Sequence, residues 1–352
     1  MAERQPALVT PFWVRIATET SLSPGWLLIA FPAVLYPAYL ALEALFGRGV
    51  AAATDFANDY EARLLLITAT NLGYLSMMYI YVARGTFRDL DALRPVLREG
   101  ETTYLRLQGQ LTRFDRRRLW IGAFVGVALT CVLHETGLAM WTRLFDGEWS
   151  LRDPCVVAIL IVFWIVVGWG AVYVIDSARL YSRIGERHVE VDLLDLNSLS
   201  PLTRHGLRIV LVVVTSTAAA TILIIVGFIS PLRPMVLLTA VCLWSAVVAA
   251  AAFLLPVRGL RRQIRGRKAE KLDQLRDEIR RNEELVTKPG PESAEAGGRL
   301  PGLLAYMNQI ESVREWPFDA PTLTRFFLYV AIPLGSWVGG ALVERLLGAA
   351  LD

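Results

Sequence analysis

The sequence is poor in the residues that carry most protein chemistry. In 352 residues it holds three histidines and three cysteines, and only Lys268, Lys271 and Lys288 of its 36 basic residues are lysine. Cys131, Cys155 and Cys242 lie in or beside apolar stretches without CxxC spacing, which leaves no basis for a disulfide framework or a thiolate zinc site. Residues 1–24 lack the apolar core of a cleavable signal peptide. Also missing are GxxxxGK[ST], GxSxG, HExxH and a GxGxxG following a strand, the signatures of several large enzyme classes. No cofactor is expected, and the balance leans away from an enzyme; an intramembrane one would rest on His134 and Glu135. No internal repeat is visible, which argues against an inverted-repeat transporter.

What the chain has in quantity is apolar sequence, 54% of residues against 20% charged. A helix rises about 1.5 Å per residue, so roughly 20 apolar residues cross a hydrocarbon core of about 30 Å. Seven segments reach that length: Gly25–Phe46, Leu64–Val82, Leu119–Trp141, Cys155–Ile175, Ile209–Ile229, Met235–Leu255 and Phe326–Leu347. They predict an all-α, polytopic membrane bundle of seven transmembrane helices. Basic residues in the successive connecting segments number 2, 2, 9, 2, 5, 1 and 14, with Arg345 at the outer end of the seventh span as the last, so alternate sides total thirty and six. The positive-inside rule then puts the N-terminus in the cytoplasm and the C-terminus outside. Trp26, Trp120 and Trp141 fit an aromatic belt. On this reading 1–255 is a six-helix membrane region with cytoplasmic helical loops at 84–118 and 176–208. Residues 256–325 form a cytoplasmic basic helix, a linker and an interfacial elbow, and 326–352 the seventh helix. The Arg and Ala bias suggests a GC-rich bacterial genome and an inner-membrane location.

Phe87, Leu90, Leu93 and Leu97 trace an amphipathic stripe that suits a helical hairpin on the inner leaflet, or a partner surface. Arg258, Arg261, Arg262, Arg265, Arg267 and Lys268 form a basic helical face for anionic lipid headgroups. Nucleic acid is a poor competitor, because this charge sits against a membrane. Leu272, Leu275, Ile279 and Val286 continue the helix, and 287–299 reads as a disordered linker from its Pro, Gly and Ser. Pro317 and Pro321 forbid a continuous helix through Trp316 and Phe318.

Four groups are candidate sites. His134 and Glu135, with Glu43, sit near outer helix ends, where ionisable groups line a hydrated vestibule or pair with neighbouring helices. His188, Glu190 and Asp192 alternate with valines, and in a strand they share a face that offers one imidazole and two carboxylates to a divalent metal. The plainer reading is a solvated strand packed on its valines. Thr68, Thr70, Asn71, Tyr74, Ser76, Tyr79 and Tyr81 line a hydrated path or glue helices together. Gly335, Gly339 and Gly340 form small-xxx-small contacts, within the bundle or across a homo-oligomer.

The stretch Glu315-Trp-Pro-Phe-Asp-Ala-Pro-Thr-Leu-Thr-Arg325, running into Ile332-Pro-Leu-Gly-Ser-Trp337, resembles the C-terminal end of bacterial multipass membrane proteins of unknown function. That resemblance implies a topology and no site. Two functions follow. One is a channel or transporter for a small solute or ion; the other is a non-catalytic scaffold or signalling component that binds a cytoplasmic protein or anionic lipid.

Overall fold

The computed structural model describes residues 8–46, 60–98, 100–133, 152–227, 232–287, 291–316, 318 and 320–331. Helix α1 (Phe12–Glu19) starts behind Pro11 and buries Trp13 and Val14 completely. Its C-terminal end is held by Arg84, whose guanidinium donates to the Thr20 carbonyl at 2.7 Å. A cation suits that end of a helix, where carbonyls lack intrahelical donors. Then follow α2 (Leu27–Phe46), α3 (Tyr60–Leu93), α4 (Gly100–Thr112), α5 (Arg116–Leu133), α6 (Arg152–Arg183) and α7 (Ser200–Gly227). A long α8 (Leu232–Val286) and α9 (Pro291–Ser312) come next, and residues 320–331 are also helical. Among the described residues the fold is all-α apart from a bridge between Leu97 and Val189 and one short ribbon, in which β1 (Leu8–Val9) pairs antiparallel with β2 (Phe114–Asp115).

Helix α3 is central and packs against α1, α2, α6 and α7. The main core includes Trp13, Leu64, Leu75, Phe163 and Tyr173. A second core closes the basic end, with Leu90, Leu93, Leu107, Tyr181, Ile184 and Leu260. Helices α5 and α6 touch backbone to backbone: a Cβ on Gly122 or Gly126 would strike the carbonyl of Gly168 or Trp164 across the seam. Glycine at those positions lets helices approach closely enough for dispersion to hold them. After α6 the chain makes a π-helical turn, Ile184–His188. Helix α8 crosses there, and its Gln263 Nε2 donates to the Glu186 carbonyl at 2.7 Å.

The expectation of seven spans is overturned. Among the described residues three helices are long and apolar enough to cross a membrane: Pro24–Leu45, Ala62–Val96 and Cys155–His188. The third expected span is described as helix only to Leu133, and the last only to residue 331. In the expected sixth span, only Ser245–Leu255 stands as a short apolar helix. The physical reason is that hydropathy counts apolar residues without knowing what covers them. Val210 and Val214 of the expected fifth span, and Ala249 and Phe253 of the sixth, are buried against one another. Apolar side chains that do face outward form a belt with Ile29, Val34, Leu45, Ile121, Phe124 and Phe327, all more than 60% exposed. Exposed apolar side chains in such number suit membrane or partner contact. The molecule is a helical protein with a few apolar helices suited to membrane association.

Other expectations change for the same reason. The stripe of Phe87, Leu90, Leu93 and Leu97 faces the second core, so protein and not lipid covers it. Residues read as linker become, from Pro291 on, the first turns of α9, where proline at a helix start loses no hydrogen bond. At about 1.5 Å per residue the 55 residues of α8 span about 80 Å. Helix α9 packs against it, and Lys268 Nζ reaches the Glu311 and Val313 carbonyls at 2.6 and 2.8 Å.

Substituting Gly168 with isoleucine should force α5 and α6 apart and cost about 1–3 kcal/mol, by analogy with overpacked cores. Thermal unfolding in detergent measures it. Gly266→Ala is the control, since a Cβ there meets nothing within 4 Å, and it should hold or slightly raise the melting temperature.

Candidate functional site

The polar residues that converge most closely lie where the two cores meet. Helix α3 carries Thr86 and Asp89, and α7 carries His205 and Arg208; each pair is three residues apart and so shares a helix face. Arg208 Nη1 meets Asp89 Oδ2 at 2.5 Å, and its Nη2 lies 3.4 Å from Oδ1. The side chains are 13% and 3% exposed, so this is a buried, forked ion pair. Gly85 makes room for it, because a Cβ there would occupy the place of the Arg208 guanidinium. Tyr81 lies with its ring 5.9 Å from the same cation.

Helix α6 completes the cluster. Tyr181 donates its hydroxyl to the Thr86 backbone carbonyl at 2.6 Å and stacks on His205 with ring centroids 3.7 Å apart. Thr86 Oγ1 donates to the Val82 carbonyl at 2.8 Å and accepts from Tyr173 at 3.4 Å. Its single proton is therefore committed. The 3.4 Å contact with His205 Nδ1 requires the imidazole to donate, which assigns the Nδ1–H tautomer from the network. Nε2 then holds a buried lone pair without a hydrogen-bond partner among the described residues. Burial, and secondarily the charge of Arg208, hold His205 well below its ordinary value of 6.5, so it is neutral at physiological pH. Chemically this is a clamp across three helices. A hydroxyl committed to a helix carbonyl beside a sealed imidazole is a poor nucleophile–base pair.

A lesser cluster ties α4 to the end of α3. Tyr104 donates to Asp91 at 2.5 Å, and Arg94 pairs with Glu101. The Asp91 hydrogen bond, with burial behind it, pushes the Tyr104 phenol up to about 12.

The residues singled out from sequence fare differently. His134, Glu135, Gly335, Gly339 and Gly340 lie outside the described residues. Glu43 is buried on α2. His188, Glu190 and Asp192 do not converge: among the described residues no three His, Cys, Asp or Glu side chains could hold a metal ion. Their segment pairs instead with 96–98, through Glu190 N to the Val96 carbonyl and Arg98 N to the His188 carbonyl, both at 2.9 Å. Val189 and Val191 go into the second core. Thr68 and Thr70 bond to carbonyls one turn back, and Asn71 Nδ2 reaches the Ala219 carbonyl of α7 at 2.9 Å. Of the basic face on α8, Arg261 stacks on Trp316 at 4.2 Å, Arg262 reaches Glu186 at 3.5 Å and Arg267 reaches Glu270 at 3.8 Å. Arg258 and Arg265 are exposed.

The clamp went unseen in the sequence because its residues sit 119 positions apart. No local pattern marked them, since Asp89 stands between Arg88 and Asp91 and His205 between Arg204 and Arg208. With this geometry in place, the class is defined: a membrane-associated helical protein organised around a buried charge clamp. Compared with protein-family models, curated proteins and solved structures, the chain matches none.

Truncating Asp89 to alanine should cost about 3–5 kcal/mol, because it strands a buried guanidinium. The double variant Asp89→Ala/Arg208→Ala should lose less than the two single losses combined, as a double-mutant cycle of unfolding in detergent would measure. His205 gives a pH dependence. Below about 6.5 the unfolded chain takes a proton that the buried native imidazole refuses, so stability present above that pH falls on acidification. The slope should approach about 1.4 kcal/mol per pH unit. Melting temperatures from pH 7 to 5 should show it, and His205→Gln should flatten it.

Proposed function

We propose that this chain is a membrane-anchored scaffold or signalling component, placed in a bacterial inner membrane with its basic end in the cytoplasm. The observation that carries the reading is the use made of its polar residues. Thr68, Thr70 and Asn71, three of the polar residues expected to line a hydrated path or glue helices, spend their hydrogen bonds on helix carbonyls. The basic end, in contrast, has its own core, and α9 packs along α8 there. Such a body is suited to presenting a surface to another protein.

Between α8, α9 and residues 190–194 lies a groove of about 570 Å³. Glu190, Asp192 and Glu270 oppose Arg267 and Lys271 there, and Tyr306 adds an aromatic edge. Alternating charge around an aromatic group is the composition of a protein-docking rim. A channel or transporter is the second reading; it rests on His134 and Glu135.

Reconstituted into liposomes, the protein should pass no more solute or ion than protein-free vesicles under a voltage or pH gradient. A photo-crosslinker replacing Leu304 on α9 should capture one defined protein in cells, and a charge reversal at Lys271 should reduce that capture. Flux that the double substitution His134→Ala/Glu135→Ala abolishes would overturn the scaffold reading in favour of transport.

A further inference from the structure

A second groove, of about 910 Å³, opens between α4, the ribbon strand β2, the start of α5 and the end of α6. Its walls carry Arg106, Arg113, Arg118, Arg179 and Arg183, against Asp115 and Asp176. The carboxylates are already engaged. Asp176 lies 2.6 Å from Arg118 and 4.0 Å from Arg179, and Asp115 Oδ1 accepts from the backbone N–H of Arg117 at 2.9 Å. Arg106, Arg113 and Arg183 are exposed and have no carboxylate within 4.0 Å among the described residues. Three guanidinium groups thus bring uncompensated charge to one concave surface. Guanidinium is the group best shaped to take phosphate oxygens in pairs.

The position of the groove selects the kind of phosphate. Its floor is apolar, with Leu111, Phe114, Leu180 and Leu255. One turn further along α5 stand Trp120, Ile121 and Phe124, between 63% and 75% exposed, and Ile175 of α6 is exposed beside Asp176. The arginines therefore sit where the outward-facing apolar belt ends. A soluble anion would use the arginines alone, whereas a phospholipid places its headgroup among them and its chains along the belt.

We propose that this groove is a binding site for the phosphate headgroup of an anionic phospholipid. The proposal rests on the membrane placement given above and is independent of whether the protein acts as a scaffold. It also differs from the basic face of α8, where Arg261, Arg262, Arg267 and Lys268 already hold partners within the chain.

The test is native mass spectrometry of the full-length protein in neutral detergent, titrated with short-chain phosphatidylglycerol, phosphatidylcholine or inorganic phosphate. Phosphatidylglycerol should bind at least about tenfold more tightly than phosphatidylcholine, on the scale expected for a few arginines near a headgroup. The triple substitution Arg106→Gln/Arg113→Gln/Arg183→Gln should remove that preference. Arg258→Gln/Arg265→Gln on α8 should leave it intact. If the triple glutamine variant melts, the triple lysine variant keeps the charge without the forked donors, and it should prefer the anionic lipid more weakly than wild type. Equal affinity for the two lipids, or a preference that survives the groove substitutions, overturns the proposal. So does displacement of the lipid by equimolar phosphate, which would assign the groove to a soluble anion. Flux in liposomes with the lipid preference intact would sink the scaffold reading alone.

Discussion

Taking a carboxylate and a guanidinium out of water is costly unless each finds the other in good geometry, and Asp89 and Arg208 are held under that constraint. Both lie at the end of an apolar bundle, nearly out of solvent reach. Their forked contact can form only if α3 and α7 meet in one register, and Gly85 keeps that register open. Tyr181 and Tyr173 extend the condition to α6 through Thr86. A buried ion pair is weak evidence of added stability, because apolar residues of similar volume often do as well. Its stronger effect here is on uniqueness: a slip of one turn on either helix would leave two buried charges unpaired.

Around this clamp the chain divides its arginines by task. Arg84 closes α1 and Arg208 locks the bundle. Arg261, with Lys268, secures the turn after α9, where Trp316 stacks on the guanidinium and Phe318 on Phe253. Arg106, Arg113 and Arg183, with no carboxylate within 4.0 Å among the described residues, line the groove beside the exposed apolar residues of α5. Chains that carry charge next to lipid must either neutralise it internally or offer it to headgroups, and the paired and unpaired arginines here lie in different places.

The two readings of function separate along the same line. Within α3, Thr68 and Thr70 bond to carbonyls of their own helix and Asn71 to one of α7, so these three groups serve packing. The basic end has the opposite character, with its own core, concave charged surfaces and a long helix leading outward. Recognition at the membrane surface, as proposed above, would use those features directly.

Much was legible in the residues alone. The all-α class, the apolar helices at Leu27–Phe46 and in α3 and α6, and the helical continuation of α8 follow from period and run length, which local geometry dictates. The burial of Val189 and Val191 beside outward Glu190 and Asp192 was readable from alternation. Hidden from the sequence was everything that depends on what covers a residue. The amphipathic stripe from Phe87 to Leu97 is the same whether lipid or Tyr181 and Ile184 lie against it. Trp13, ahead of the first expected span, enters the main core because the Leu8–Val9 ribbon delivers it beside Tyr79 and Trp169. The clamp, the glycine seam of α5 and α6 and the arginine groove each join residues from distant helices. Local sequence sets a helix and its apolar face; which face meets protein and which meets lipid is decided by long-range packing, since burial belongs to the neighbours and not to the residue.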